Sequence, residues 1–110
     1  MSNSERILEF EVNKQRITKR RGCDFTNIVS GTTGYLKAKF YFSKSEWRGC
    51  AKAASFWVGD KEYGALLDKS NICEIPPEAL LADRFYVSVT GIREDYKIAT
   101  NKTKVKQEVN

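Results

Sequence analysis

The side chains best placed for acid–base chemistry are the adjacent carboxylates Glu94 and Asp95, with Glu78 and Asp83 as a second pair, and the candidate nucleophiles are Cys23, Cys50 and Cys73. None of these finds its usual partner, because the 110 residues include no histidine. Without one, neither a Ser-His-Asp nor a Cys-His pair can form, and a hydroxyl or thiol nucleophile would need lysine as its base. Both carboxylate pairs fall in segments that read as turns, where the acids stay solvated. The cysteines are separated by 27 and 23 residues, which fits no zinc ribbon, CxxC redox pair or secreted disulfide framework, so they read as reduced thiols. Cys73, in the apolar run Ile72-Cys73-Glu74-Ile75, is expected in the core, and Cys23, after Arg20-Arg21-Gly22, as a partly exposed thiol. Gly31-Thr32-Thr33-Gly34 looks like part of a phosphate-cradling loop but lacks the glycine-lysine-hydroxyl ending and a following helix, so it is a plain loop. The expectation is a protein without enzymatic activity, metal or cofactor.

Binding chemistry is better supplied. With 19 basic and 14 acidic residues the net charge is +5, which suits an anionic partner without requiring one. The cations bunch at Lys14, Arg16, Lys19, Arg20 and Arg21 and again at Lys97, Lys102, Lys104 and Lys106. Their simplest role is to solvate faces and protect strand edges. Tyrosines alternating with lysines have the composition of a docking surface, and Tyr35, Lys37, Lys39, Tyr41, Tyr63 and Tyr86 are the candidate partner-binding residues. The segment Asn101 to Val109 adds a basic edge suited to β-augmentation. Two alternatives use the same rings. Tyr35, Tyr41, Trp57, Tyr63, Tyr86 and Tyr96 could stack the bases of a single-stranded nucleic acid beside Lys37 and Lys39, or stack on sugars, although no motif specific to either is present.

The elements that must position these residues are strands. Leu36, Ala38, Phe40 and Phe42 alternate with Tyr35, Lys37, Lys39 and Tyr41, and Phe85, Val87 and Val89 alternate with Tyr86, Ser88 and Thr90. A period of two gives each strand one dry and one wet face. Leu8, Phe10 and Val12 make a first strand, after which the basic segment either extends it or turns away at Asn13-Lys14. Phe25, Ile28 and Val29 mark a short strand or a loop pinned to the core. Ser43 and Glu46 have capping-box spacing, but Gly49 stops the segment after one helical turn, a corner from which Trp47 drops onto the core. Gly59-Asp60 joins Ala51–Val58 to Glu62–Leu67 as a hairpin. Pro76-Pro77 favours one further turn through Leu81, and a last long strand runs from Tyr96 to Val109 with a kink or bulge at Asn101. The expected fold is all-β, an immunoglobulin-like antiparallel β-sandwich of about seven strands with one or two short helical turns, forming a single domain over residues 1–110 with a flexible N terminus at 1–6. No apolar stretch is long enough for a membrane span and no signal peptide is evident, so a cytoplasmic protein without membrane insertion is expected.

Leu8-Glu9-Phe10-Glu11-Val12-Asn13-Lys14-Gln15, then Tyr35 to Phe40, Glu46-Trp47-Arg48-Gly49, Cys73-Glu74-Ile75-Pro76-Pro77-Glu78-Ala79-Leu80, Phe85 to Gly91 and Ile98-Ala99-Thr100-Asn101 follow one another in a familiar order. Over residues 7–107 the chain resembles the N-terminal β-sandwich module of tail and baseplate proteins from phages and prophages of Gram-positive bacteria. The resemblance lies in packing and turn residues, and Trp47, Gly49, Pro76 and Gly91 are expected to serve the fold. It implies a structural or accessory protein, made in the host cytoplasm and carried in the virion, that docks as a homo-oligomer or onto other tail and baseplate proteins. A small phage protein that inhibits a host defence protein is the further alternative.

Overall fold

The computed structural model describes residues 5–108 and arranges them as two β-sheets packed face to face. The strands are β1 Arg6–Asn13, β2 Arg16–Lys19, β3 Leu36–Phe42, β4 Ala51–Val58, β5 Lys61–Leu66, β6 Ile72–Glu74, β7 Arg84–Arg93, β8 Tyr96–Ala99 and β9 Thr103–Lys106. A one-turn helix, α1 Lys44–Trp47, follows β3, and a 3-10 turn occupies Ala79–Leu81. The first sheet has the order β2-β1-β3-β6. The second has the order β5-β4-β7, with β8 and β9 end to end along the far side of β7. The all-β sandwich of the sequence is therefore the fold, with both expected helical turns. Nine strands replace about seven because the basic segment turns at Lys14-Gln15 to give β2, and the last strand breaks over Thr100–Lys102.

One pairing departs from the antiparallel expectation. β1 and β3 are parallel, with Arg6 opposite Leu36 and Val12 opposite Phe42. A parallel pair needs a long crossover, which β2, running back along β1, and residues 20–35 together provide. The segment 20–35 is a loop, not a strand. Its Phe25 ring lies 5.4 Å from that of Phe10, Ile28 is buried, and Val29 makes an isolated bridge to Glu108. Val29 itself is exposed, so Phe25 and Ile28 alone provide the expected pinning. The Arg6 guanidinium closes the loop by donating to the carbonyls of Asp24, Thr26 and Asn27 at 2.8, 2.7 and 3.2 Å. Residues 1–4 of the expected flexible terminus, and position 109, where the expected last strand ends, lie outside the described residues. Arg6 is not loose, since it is already in β1 and holds the crossover.

The core lies between the sheets. Leu8, Phe10, Val12, Leu36, Ala38 and Phe40 meet Ala54, Phe56, Phe85, Val87 and Val89, all essentially inaccessible to solvent. Each large side chain buried there contributes about 1.5–3 kcal/mol. Trp47 drops into this core as expected. The Ser43 hydroxyl joins the Glu46 carboxylate at 3.0 Å and accepts the Lys14 amide at 3.0 Å, and it makes no bond to the first amides of α1. Ser43 thus ties the helical corner to the β1–β2 turn, and this bond holds the Glu46 carboxyl below its usual range.

Candidate binding faces

Residues opposite one another in a sheet project to the same side, so the registers assign each polar side chain to a face. On the outer face of the first sheet Ile7 pairs with Lys37, Glu9 with Lys39 and Glu11 with Tyr41, while β6 adds Ile72 and Glu74. The charges here answer one another. Lys37 meets Glu5 at 2.9 Å, and that contact raises the affinity of its ammonium for its proton above the ordinary value. The Tyr41 hydroxyl donates to Glu9 at 2.8 Å, and the Arg20 guanidinium lies 3.7 Å from the Tyr41 ring centre and 3.4 Å from Glu11. Tyr41 is held in an intramolecular network. Tyr35 and Ile7, by contrast, are 44% and 39% exposed at the end of the same face.

The outer face of the second sheet is chemically different. Trp57 and Tyr86 are directly opposite across β4 and β7, and Tyr86 is opposite Lys104 across β7 and β9. The indole Nε1–H of Trp57 donates to Ser88 Oγ at 2.9 Å, and the Lys102 ammonium stands 3.7 Å from the centre of the indole. Arg84 is opposite Lys106, and Lys97 is opposite Ile92. Glu62 is the single carboxylate at outward strand positions of this sheet among the described residues, and it accepts a hydrogen bond from Ser55. Just outside β7, Asp83 pairs with Arg84 at 3.2 Å, an interaction that lowers the pKa of its carboxyl.

The six sequence-chosen residues do not share one surface. Tyr35, Lys37, Lys39 and Tyr41 lie on the outer face of the first sheet, and Tyr86 lies on the opposite side of the molecule. Tyr63 pairs with Phe56, whose side chain is wholly buried, and so projects to the inward side of β5. Alternation fixes in or out along each strand but leaves open which sheet a strand joins. The grouping of Trp57, Tyr86, Lys102 and Lys104 was only half visible. Its aromatic members stood among the candidate stacking residues, while Lys102 reaches Trp57 because the chain breaks strand at Thr100–Lys102.

The groups singled out for chemistry remain apart. Glu94 and Asp95 form the two-residue turn between β7 and β8. Cys23 is half-buried, with its Sγ accepting the Glu9 amide at 3.3 Å, and Cys50 and Cys73 are buried free thiols. Among the described residues no cluster of three or more potential ligands is placed to hold a metal ion, and no helix is long and apolar enough to cross a membrane. Comparison with protein-family models, with curated protein sequences and with solved structures finds no match for this chain.

Proposed function

We propose that the chain is a non-enzymatic docking module of a phage tail- or baseplate-type assembly, and that it packs against a second copy of itself through the outer face of the first sheet. The observation that carries this reading is that Ile7 and Tyr35 are both exposed at one end of a face where Lys37 is paired with Glu5 and Arg20 with Glu11. Covering such a face recovers apolar area, and its Lys37–Glu5 and Arg20–Glu11 pairs would enter the interface already matched. Tyrosine at its margin provides a large, stiff contact with a polar tip, the kind of residue that anchors protein interfaces. Tyr41 is spent on Glu9 and Arg20 and serves as scaffold for this face.

Light scattering tests the reading on the full chain. A mass above that of the monomer is expected for the unmodified protein, with the monomer mass for Ile7→Ser combined with Tyr35→Ala and an unchanged circular dichroism spectrum. A monomeric parent, or a variant that assembles as before, overturns it.

A further inference from the structure

The excess positive charge of the chain is not spread evenly. The first sheet's outer face opposes its cations with Glu5, Glu9, Glu11 and Glu74, whereas the second sheet's outer face has Glu62 alone against Arg84, Lys97, Lys104 and Lys106 at its strand positions. Lys104 and Lys106 stand at alternate positions of β9, about 6.6 Å apart, comparable with successive phosphates of an extended strand of nucleic acid, and Lys102 lies just before the strand. Beside this row lie two aromatic residues opposite each other in the sheet, Trp57 and Tyr86. Arg84, Lys104 and Lys106 also line a shallow recess of about 340 Å³ at the end of the row, which they share with Gln107 and with Asp83, the ion-pair partner of Arg84.

We infer that this face binds single-stranded nucleic acid, with Trp57 and Tyr86 as stacking platforms for bases and Lys102, Lys104 and Lys106 as phosphate contacts. Flat rings next to a track of cations are the two components that sequence-tolerant single-strand binders combine. The bond from Trp57 Nε1 to Ser88 fixes the indole on the sheet before any ligand arrives, so little side-chain freedom remains to be lost on stacking. Lys102 covers the ring with an exposed cation–π contact, a weak interaction that a base can displace, leaving the ammonium free to turn to a phosphate. Protection of the β9 edge accounts for lysines on that strand. It does not account for two aromatic side chains set beside them on a solvent face. A duplex would offer no open base to either ring, and an acidic peptide would use the lysines and leave the rings uncovered. The inference goes beyond the docking reading and uses the opposite face, so either can fail without the other.

The probe is a fluorescein-labelled oligodeoxythymidine of about 12 nucleotides, within the usual site size of such folds, followed by anisotropy and by quenching of tryptophan emission. Trp47 is 1% exposed, so quenching that is present in the parent and lost in Trp57→Leu reports Trp57. Three phosphate contacts at about 0.7 ions released each predict a log–log salt slope near −2, a loss of roughly 20-fold in affinity between about 50 and 200 mM salt. Replacing Lys102, Lys104 and Lys106 by serine, all away from the core, is expected to weaken binding at least tenfold with circular dichroism unchanged, and Lys37→Ser with Lys39→Ser is expected to leave it intact. No retention at the lower salt overturns the inference. So does retention undiminished in both the triple-lysine and Trp57→Leu variants. Displacement of the oligonucleotide by polyglutamate at equal charge concentration also overturns it and assigns the face to an acidic protein segment.

Discussion

Gly91 and Trp47 are fitted to each other so closely that a Cβ on Gly91 would stand 2.8 Å from both Cε3 and Cζ3 of the indole, with the Cβ of Cys50 at 3.1 Å. Trp47 comes from the one-turn helix α1, which has no side-chain cap. The indole supplies what the helix lacks. Its Nε1–H donates to the Lys14 carbonyl at 2.8 Å and its ring lies 4.9 Å from that of Phe42, so one side chain joins the β1–β2 turn, β3 and β7. Gly91 is required by this approach of a ring to the backbone.

Gly91→Ala therefore overpacks the core, and a loss of about 1–3 kcal/mol in urea denaturation is expected. The cost should shrink in a Trp47→Leu background, which removes the atoms that clash. An equal cost in both backgrounds would mean that the strain arises elsewhere.

The turn between β7 and β8 places Glu94 at φ 43°, in the left-handed region, whereas the turn between β4 and β5 uses Gly59 at φ 61° for the same purpose. A side chain in that region costs about 1–2 kcal/mol, part of which glycine gives back through its greater freedom in the unfolded chain. Glu94→Gly is expected to raise stability by about 0.5–1 kcal/mol, read as an increase in the urea midpoint at unchanged slope.

Burial pushes the Cys73 thiol up from its ordinary value near 9 to about 12. Because the folded value is the higher one, the stability that this group contributes is fully present below about 9 and is lost as the pH rises through about 12. The unfolding free energy of the parent should fall more steeply across that window than that of Cys73→Ala. At pH about 8 an alkylating reagent should label half-buried Cys23 before Cys50 or Cys73, which peptide mapping of a partial reaction will show.

Gln107 is 8% exposed, and its amide Nε2 donates to the carbonyls of Ala79 and Ala82 at 3.2 and 2.6 Å, holding the 3-10 turn against β9. Its Oε1 is buried without a hydrogen-bond partner among the described residues. Gln107→Glu would set an ionised carboxylate against two carbonyl oxygens and is expected to cost on the order of 3 kcal/mol at neutral pH. A protonated acid can donate one of the lost bonds. The deficit should therefore narrow as the pH falls through the raised pKa of the new acid, and a deficit independent of pH would contradict this account.

Much of the fold was legible because it follows from local rules. Alternation at Leu36–Phe42 and Phe85–Val89 places the apolar side chains inside, Gly59-Asp60 turns a hairpin, and Gly49 ends a helix after one turn. The parallel pairing of β1 with β3 was not legible, because it depends on how the 20–35 loop of the crossover is fastened by Phe25, Ile28 and Arg6 rather than on either strand. Asn101 was recognised as a break in the last strand. Its part in the assembly of the sheets was not, since its side-chain oxygen accepts the Ile17 amide at 2.8 Å from β2, a residue 84 positions earlier.

The same division holds for the binding faces. From alternation alone it followed that Tyr35, Lys37, Lys39, Tyr41 and Tyr86 project away from the apolar side chains of their strands, because a period of two leaves no other place for them. Which of them meet depends on how the strands assemble. Strand order placed Tyr35, Lys37, Lys39 and Tyr41 on one side of the molecule and set Tyr86 beside Trp57 on the other, and the register of β5 against β4 put Tyr63 opposite buried Phe56 and so inward. Pairing between strands distant in the chain fixed which charges are answered, and left Lys102, Lys104 and Lys106 as the unopposed row beside two rings.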